Sequence, residues 1–111
     1  LDGVRQDVLS GNTITGGGLI YFHPDRDLDL GSFDITAESL TIMARTILGN
    51  KVSTLNVKEI SFVAKSVDYK GRIECQKLFK LPPHDLQNAD LRIIEDQGKG
   101  PLSYTWEKRS Q

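Results

Sequence analysis

The chain repeats one stretch of eight residues: Leu40-Thr41-Ile42-Met43-Ala44-Arg45-Thr46-Ile47 returns twenty positions later as Ile60-Ser61-Phe62-Val63-Ala64-Lys65-Ser66-Val67. All eight positions are identical or conservatively replaced. Other pairs keep the same spacing, namely Ile35 with Leu55, Ala37 with Val57, Ile20 with Leu40 and Phe22 with Ile42. A period near twenty residues is the length of one turn of a β-solenoid. The repeat therefore predicts a chain that coils back on itself about every twenty residues.

Coils of a solenoid stack about 4.8 Å apart, so residues one period apart lie over each other and have to be interchangeable in size. The inward stacks predicted in this way are Ile20/Leu40/Ile60, Phe22/Ile42/Phe62 and Ala44/Ala64. Within one coil we expect a strand at residues 35–37, a polar corner at Glu38-Ser39 and a strand at residues 40–44. A looser coil follows, because Ile73, Cys75 and Leu78 keep the same internal spacing at a shifted offset.

A helical interpretation competes with this one. Helical spacing is also met by two sets of residues, Leu40, Met43, Ala44, Ile47 and Leu48, and Val57, Ile60, Ala64 and Val67. Thr36 would cap the first helix and Gly49 would end it. Both sets lie in stretches that are dense in β-branched residues, which favour strands. We therefore predict an all-β fold, a short β-solenoid with irregular capping ends. An α+β fold is the alternative, because the sequence does not decide between a helix and a strand for residues 36–48.

The rest of the chain predicts strands and turns around the repeat. We expect a single domain or fragment over residues 1–111, with N-terminal strands in 12–32, repeat coils in 33–80 and a Pro- and Gly-containing cap in 81–111. Turn signals stand at Gly11-Asn12 and Gly16-Gly17-Gly18. Pro82 and Pro83 end the strand before them, because proline cannot donate to a ladder. Residues 91–94 and 102–106 are predicted as further strands.

The coil over residues 33–44, Phe-Asp-Ile-Thr-Ala-Glu-Ser-Leu-Thr-Ile-Met-Ala, resembles the rungs of bacterial filamentous haemagglutinin-type adhesins. The same alternation is found in the bactofilin cytoskeletal filaments. The resemblance covers residues 33–67. This stretch lacks the Gly and Asn turns that occur at regular positions in those families. It implies a surface or scaffold role and brings no catalytic residues with it.

Composition excludes several classes of protein. A content of 38% hydrophobic and 26% charged residues excludes intrinsic disorder, and the single cysteine, Cys75, excludes a disulfide scaffold. No stretch approaches the roughly 18 apolar residues of a membrane span, and no signal peptide is visible at the first residues. A lone cysteine is compatible both with the cytoplasm and with a secreted or bacterial cell-surface protein.

Charge is unevenly distributed along the chain. Residues 1–44 hold two basic and seven acidic residues, and residues 45–80 hold eight basic and three acidic ones. This predicts either head-to-tail association with another protein or another copy, or charges that mix once the chain folds. The candidate binding residues for a partner or an anionic polysaccharide are Arg45, Lys58, Lys65, Lys70 and Arg72. A pI near 6.1 and few interleaved aromatic residues argue against nucleic acid.

The sequence contains few candidate metal-binding or catalytic residues. Asp25, Asp27 and Asp29 alternate along a predicted strand and could gather a calcium ion, although Leu30 and Thr36 stand where an EF-hand needs Gly and Glu. No nucleophile, phosphate-binding or zinc motif occurs, so we expect neither a cofactor nor an enzyme. We predict a structural or interaction module that assembles through stacked β coils. The alternatives are a β-sandwich-like binding domain for a carbohydrate or another anionic partner, and, third, an enzyme without a recognisable motif.

Overall fold

A computed structural model describes residues 9–10, 13–83, 94–96 and 99–106. These residues form nine strands and no helix. The strands are β1 (Leu9–Ser10), β2 (Thr13–Asp29), β3 (Asp34–Gly49), β4 (Thr54–Val63), β5 (Ser66–Tyr69), β6 (Arg72–Glu74), β7 (Lys77–Leu81), β8 (Ile94–Asp96) and β9 (Leu102–Thr105). They wind into a β-solenoid of about 3 turns. The all-β prediction is confirmed, and the helical alternative is wrong for residues 36–48, which lie inside β3.

Successive coils pair in parallel, each strand lying beside the strand one coil later. Strand β2 pairs with β3 from Thr13↔Asp34 onward, and β3 pairs with β4 and β5 at an offset of twenty residues from Asp34↔Thr54 onward. Strand β4 pairs with β6 and β7 from Thr54↔Arg72 onward. The coils are therefore residues 13–33 (coil 1), 34–53 (coil 2), 54–71 (coil 3) and an incomplete coil 4, residues 72–83.

Side chains alternate between core and solvent along each coil, and the alternation skips one place at each corner. In coil 2 the buried apolar residues are Ile35, Ala37, Leu40, Ile42, Ala44 and Ile47. Two neighbouring residues point outward at the corners Glu38-Ser39 and Arg45-Thr46. Each coil thus has a first, a second and a third segment, which in coil 2 are residues 34–37, 40–44 and 47–49. The predicted corner at Glu38-Ser39 is confirmed.

The inward stacks of coils 2 to 4 are those that the repeat predicts. Leu40 pairs with Ile60, and Ile42 pairs with Phe62, which is fully buried. Ala44 and Ala64 are both buried one place further on. In coil 4 the same positions return after eighteen residues, because Ile73 pairs with Leu55 and Leu78 with Ile60. The core is thus a set of apolar ladders that cross the coils.

Coil 1 contradicts the prediction for Ile20 and Phe22. Leu19 and Tyr21, not Ile20 and Phe22, pair with the inward residues of coil 2. Ile20 is 64% exposed and Phe22 62%. The reason is a register shift of one residue, which in a strand turns every side chain to the opposite face.

Two compensating irregularities cause this shift. The register changes between His23 and Asp27, where coil 1 carries a bulge at residues 24–26. The turn that closes coil 1 is shorter than the turn of coil 2, and it is held by Gly31, whose φ is 59° and whose N–H donates to Asp29 Oδ1 at 2.8 Å. The bulge inserts residues into coil 1 and the shorter turn removes one. A search for a fixed spacing of twenty residues does not detect these two changes within one coil. The Gly16-Gly17-Gly18 run, predicted as a turn, is also different, since it lies within β2, and Gly18 pairs with the corner residue Ser39.

The two ends of the stack differ. At the C-terminal end β8 pairs antiparallel with β7, and β9 pairs antiparallel with β5, from Ser66↔Thr105 to Tyr69↔Leu102. Of the strands predicted there, β9 confirms the one at residues 102–106, and β8 begins at Ile94 while residues 91–93 lie outside the described part. At the N-terminal end β1 pairs with β2 at Thr13 and Ile14. The predicted turn at Gly11-Asn12 also lies outside the described residues.

Tyr69 closes the core at the turn between coils 3 and 4. Its hydroxyl donates to Ser53 Oγ at 2.7 Å, and Ser53 Oγ donates to the carbonyl oxygen of Phe33 at 2.5 Å. Burial raises the pKa of the Tyr69 hydroxyl above its ordinary value of 10.0. A Cβ atom at Gly49 would overlap the Tyr69 ring, and one at Gly71 would overlap the carbonyl oxygen of Ser53. The Tyr69 ring thus requires a glycine at position 49, and the Ser53 backbone together with the Tyr69 hydroxyl requires one at position 71.

Replacing Gly49 with alanine should destabilise the protein. The added methyl group meets a buried ring that has no room to move, so we expect Gly49→Ala to lower the free energy of unfolding by about 1–3 kcal/mol. Gly17→Ala is the matched control, since a Cβ atom there has nothing within 4 Å. Urea unfolding followed by circular dichroism measures both. Equal midpoints for the two variants would contradict this account of Tyr69.

Candidate protein interface

The outer side of the second segment carries at least one apolar side chain in every coil. Its outward positions form two rows, Ile20–Thr41–Ser61–Phe79 and Phe22–Met43–Val63–Leu81. We call the six apolar members, Ile20, Phe22, Met43, Val63, Phe79 and Leu81, the apolar face. By contrast, the first segment has Thr36, Asn56 and Glu74 outward in the corresponding row. The apolar face is therefore a feature of one side of the stack.

Exposure of the apolar face rises towards coil 1. Met43 and Val63 are only partly exposed because each has an outward neighbour on both adjoining strands. Ile20 and Phe22 have such neighbours only on β3, and both are more than 60% exposed. Large apolar side chains grouped on one surface mark contact sites for other molecules more often than scattered ones do.

The backbone of coil 1 adds an edge to this face. Strand β2 has 17 residues. Within the described residues its side away from β3 pairs only at Thr13 and Ile14, with β1. Alternate N–H and C=O groups of such a strand point outward and can pair with a strand of another chain. The edge beside Ile20 and Phe22 therefore combines apolar side chains with unpaired backbone.

The second half of the β2 edge is protected against such pairing. Pro24 has no N–H to donate, the bulge at residues 24–26 distorts the ladder, and Asp25 and Asp27 carry exposed carboxylates. Proline, bulges and charges are the usual means by which natural edge strands avoid pairing. The part of the edge that remains suited to contact runs from Gly16-Gly17-Gly18, which we call the glycine corner, to His23.

Charged side chains lie mainly at the corners and pair between adjoining coils. Arg45 Nε lies 2.9 Å from Asp27 Oδ1, Lys58 Nζ lies 3.0 Å from Glu38 Oε2, and Lys77 Nζ lies 3.8 Å from Glu59 Oε1. Each pair joins an acid of one coil to a base of the next. Two of these pairs, Asp27–Arg45 and Glu38–Lys58, join the acid-rich residues 1–44 to the base-rich residues 45–80, so part of the segregated charge mixes in the fold.

The five predicted basic binding residues lie at different corners. Arg45 and Lys65 share one corner, where Lys65 N donates to Arg45 O at 3.1 Å. Lys58 lies at the corner before the second segment, while Lys70 and Arg72 lie around the turn after the third segment. Arg72 pairs with Glu74 in its own strand. The structure thus brings Arg45 and Lys65 together and leaves the other three elsewhere, so binding of an anionic partner by this set stays a prediction.

Two of the three aspartates named for calcium have other partners. Asp27 binds Arg45 and Asp29 accepts the Gly31 N–H, while Asp25 is exposed on the bulge. Among the described residues no group of three or more His, Cys, Asp or Glu side chains is placed to hold a metal ion. Cys75 is partly buried and lies beside an open groove of about 340 Å³ that is also lined by Asn56, Val57, Lys58, Glu74 and Gln76.

The chain was compared with protein families, with curated proteins and with solved structures. No protein-family model, curated protein or solved structure gives a match to this chain. The described residues include no helix of the length and apolar character needed to span a membrane. The solenoid architecture is therefore established by the strand register and the burial pattern.

The apolar face was not predicted from the sequence, although the sequence contains a signal for this face. The second segments read as nearly continuous apolar runs, Leu19-Ile20-Tyr21-Phe22, Leu40-Thr41-Ile42-Met43-Ala44 and Ile60-Ser61-Phe62-Val63-Ala64. A half-buried strand alternates, whereas a continuous apolar run is typical of a strand covered on both faces. In the described structure only the inner face is packed against the core, so the outer face of these runs is available for a partner.

The ion pair at the second corner should be visible in the titration of Asp27. The hydrogen bond from Arg45 holds the pKa of the Asp27 carboxyl below its ordinary value of 3.8. The charged form is favoured in the folded state, so the pair contributes stability above about pH 4 and loses it as the pH falls through the lowered pKa. We expect Arg45→Gln to return the Asp27 pKa towards 3.8 and Lys65→Gln to leave it lowered, as measured by NMR titration of the carboxyl carbon. An Asp27 pKa that is the same in all three proteins would contradict the pairing.

Proposed function

We propose that this chain is a non-enzymatic structural module that assembles with copies of itself through coil 1. The observation that carries the proposal is the coincidence, on β2, of the exposed side chains of Ile20 and Phe22 with an unpaired backbone edge. Side chains supply apolar area to be buried, and the edge supplies hydrogen-bonding groups in a regular array. Together they are the two components of recognition by strand addition.

The coils behind β2 support this role because they hold it in a fixed conformation. Strand β2 pairs with β3 over most of its length, and its inward residues Leu19 and Tyr21 lie on Leu40 and Ile42. A strand that is already extended and packed loses little conformational entropy when a partner adds to it. The ladder of inter-coil ion pairs at the corners keeps charge away from the apolar face. The stack is thus a frame for one contact surface.

The geometry of assembly differs from the head-to-tail contact expected from charge. Two of the basic residues that were to attract an acidic neighbour already pair with the acid-rich half of the same chain, Arg45 with Asp27 and Lys58 with Glu38. Burial of the apolar face is a driving force that does not depend on opposite net charges. Assembly through Ile20 and Phe22 should therefore survive high salt, whereas charge-driven stacking would weaken.

Self-association of the full chain tests the proposal. We expect the mean mass, measured by sedimentation velocity and light scattering, to rise above 12.4 kDa as protein concentration increases. Phe22→Lys removes apolar area that the contact buries and should weaken association about tenfold or more, in line with about 1.5 kcal/mol or more for an aromatic side chain. Ile20→Lys should act in the same direction.

Val52→Lys is the matched control for these variants. Val52 is 70% exposed, as large an exposure as that of Ile20 or Phe22, but it lies in the turn that closes coil 2. Unchanged association in Val52→Lys together with loss in Phe22→Lys supports the proposed surface. A wild-type chain that stays at monomer mass over the whole concentration range, or equal losses in the two variants, removes the proposal.

A further inference from the structure

We propose that two copies of this chain join head to head by antiparallel pairing of their β2 strands. This inference rests on the proposed function and adds the orientation and the register of the pairing. Its basis is the difference between the two ends of the stack, the register of β2 and the position of its charges.

Among the described residues, the end opposite β2 has no uncovered strand edge as long as that of β2. Strand β7 is covered by β8, and β5 is covered by β9 with four registered pairs. The backbone of Trp106 donates to Lys65 O at 2.7 Å, and that of Ile73 donates to Lys99 O at 3.3 Å, so the covering segment is bonded to the last coils. A β2 strand of another copy would have to displace these strands in order to stack head to tail. The long edge that two copies have in common is β2 itself.

An interface made of the same strand in both copies is closed by a two-fold axis. Such an isologous contact uses up the edge on both chains and produces a dimer, whereas a head-to-tail contact would continue into a filament. Two β2 strands related in this way run antiparallel. The outer faces of the two stacks then join into one sheet, with β7, β4, β3 and β2 of one copy continued by β2, β3, β4 and β7 of the other.

The apolar side chains fix the register of this pairing. With the two-fold axis at Tyr21, Ile20 lies opposite Phe22 of the second copy, and Phe22 lies opposite its Ile20. An aromatic residue beside a β-branched one is among the favourable cross-strand pairs. The same register places Tyr21, which is 5% exposed and covers the end of the core, opposite its own copy. The two most exposed apolar side chains of β2 therefore cover each other.

The acidic residues of β2 select the antiparallel orientation. In the register centred on Tyr21, the bulge that carries Asp25 and the residues beyond it lie towards the Gly16–Gly18 run of the second copy, away from its Asp25 and Asp27. In a parallel, in-register pair each carboxylate would lie beside its own copy, and like charges directly opposite destabilise a strand pair. A Cβ atom at Gly17 would have open space on the outside of the fold, so the glycine corner leaves room for the bulge of the other chain.

Cysteine cross-linking tests the register. In a Cys75→Ser background, Ile20→Cys and Phe22→Cys are made as two separate proteins and mixed under mild oxidation. Directly opposite residues have Cβ atoms about 4.5–5.5 Å apart, close to the span of a disulfide, while the diagonal pairs are about 7–8 Å apart. We expect the mixture to form the covalent heterodimer several times faster than either protein forms a homodimer.

The other results of this experiment overturn the inference. Homodimers of Ile20→Cys as the main product indicate parallel pairing, and equal cross-linking of a Val52→Cys control indicates random collision. Either result leaves the proposed function standing if Phe22→Lys still abolishes association, so the two proposals fail separately. Residues 1–8 are the remaining candidate occupant: if dimers form only after their removal, the second-copy proposal is overturned for the full chain.

Charge at Gly17 gives a second, independent readout. Gly17→Lys places a cation near Asp25 of the second copy, and Gly17→Asp places a carboxylate there. We expect the dimer dissociation constant at low salt to fall about threefold in the first variant and to rise about threefold in the second, since exposed ion pairs are worth a fraction of a kcal/mol each. The difference should disappear at 1 M salt, where screening is nearly complete. Shifts in the same direction for both variants would overturn the register.

Discussion

The structure depends on one constraint, the vertical contact between inward side chains of successive coils. Leu40 and Ile42 lie beside Ile60 and Phe62, and Ile73 and Leu78 continue two of these ladders. Because neighbouring strands are only about 4.8 Å apart, each inward residue determines the size of the residue above it. The tightest example is Tyr69, whose ring occupies the space that side chains at Gly49 and Gly71 would need.

Irregularities between coils have larger consequences than the repeat itself. The bulge at residues 24–26 and the short turn at Gly31 leave coil 1 one residue out of phase with coil 2 over its second segment. That single step turns Ile20 and Phe22 from the core to the solvent. It occurs in coil 1, which within the described part of the chain has a full coil on one side only, so that exposed apolar residues and a strand edge coincide there. At the C-terminal end, by contrast, β8 covers β7 and β9 covers β5. The two ends of the stack therefore present different surfaces.

Charge and apolar area are separated over the surface of the stack. Ion pairs such as Asp27–Arg45 and Glu38–Lys58 lie at corners, where side chains of adjoining coils diverge into water and remain within reach of each other. Exposed pairs of this kind contribute little to stability, so their main effect is on what the surface presents. The apolar face lies between two charged corners, and this arrangement leaves burial of Ile20 and Phe22 as the main driving force for the proposed association.

The sequence by itself determined the repeat, the all-β class, the corner at Glu38-Ser39 and the core ladders of coils 2 and 3. Those features follow from local alternation and from side-chain sizes that recur at a fixed spacing, both of which can be read along the chain. Only the tertiary structure decided the register of coil 1, the partners of the charged residues and the coverage of the C-terminal edges. An insertion and a deletion that nearly cancel leave the spacing of a sequence almost unchanged, yet they change which face each side chain occupies. For the same reason the apolar face could not be located in advance: a continuous apolar run shows that both faces of a strand avoid water, and the fold alone determines which of them is already covered.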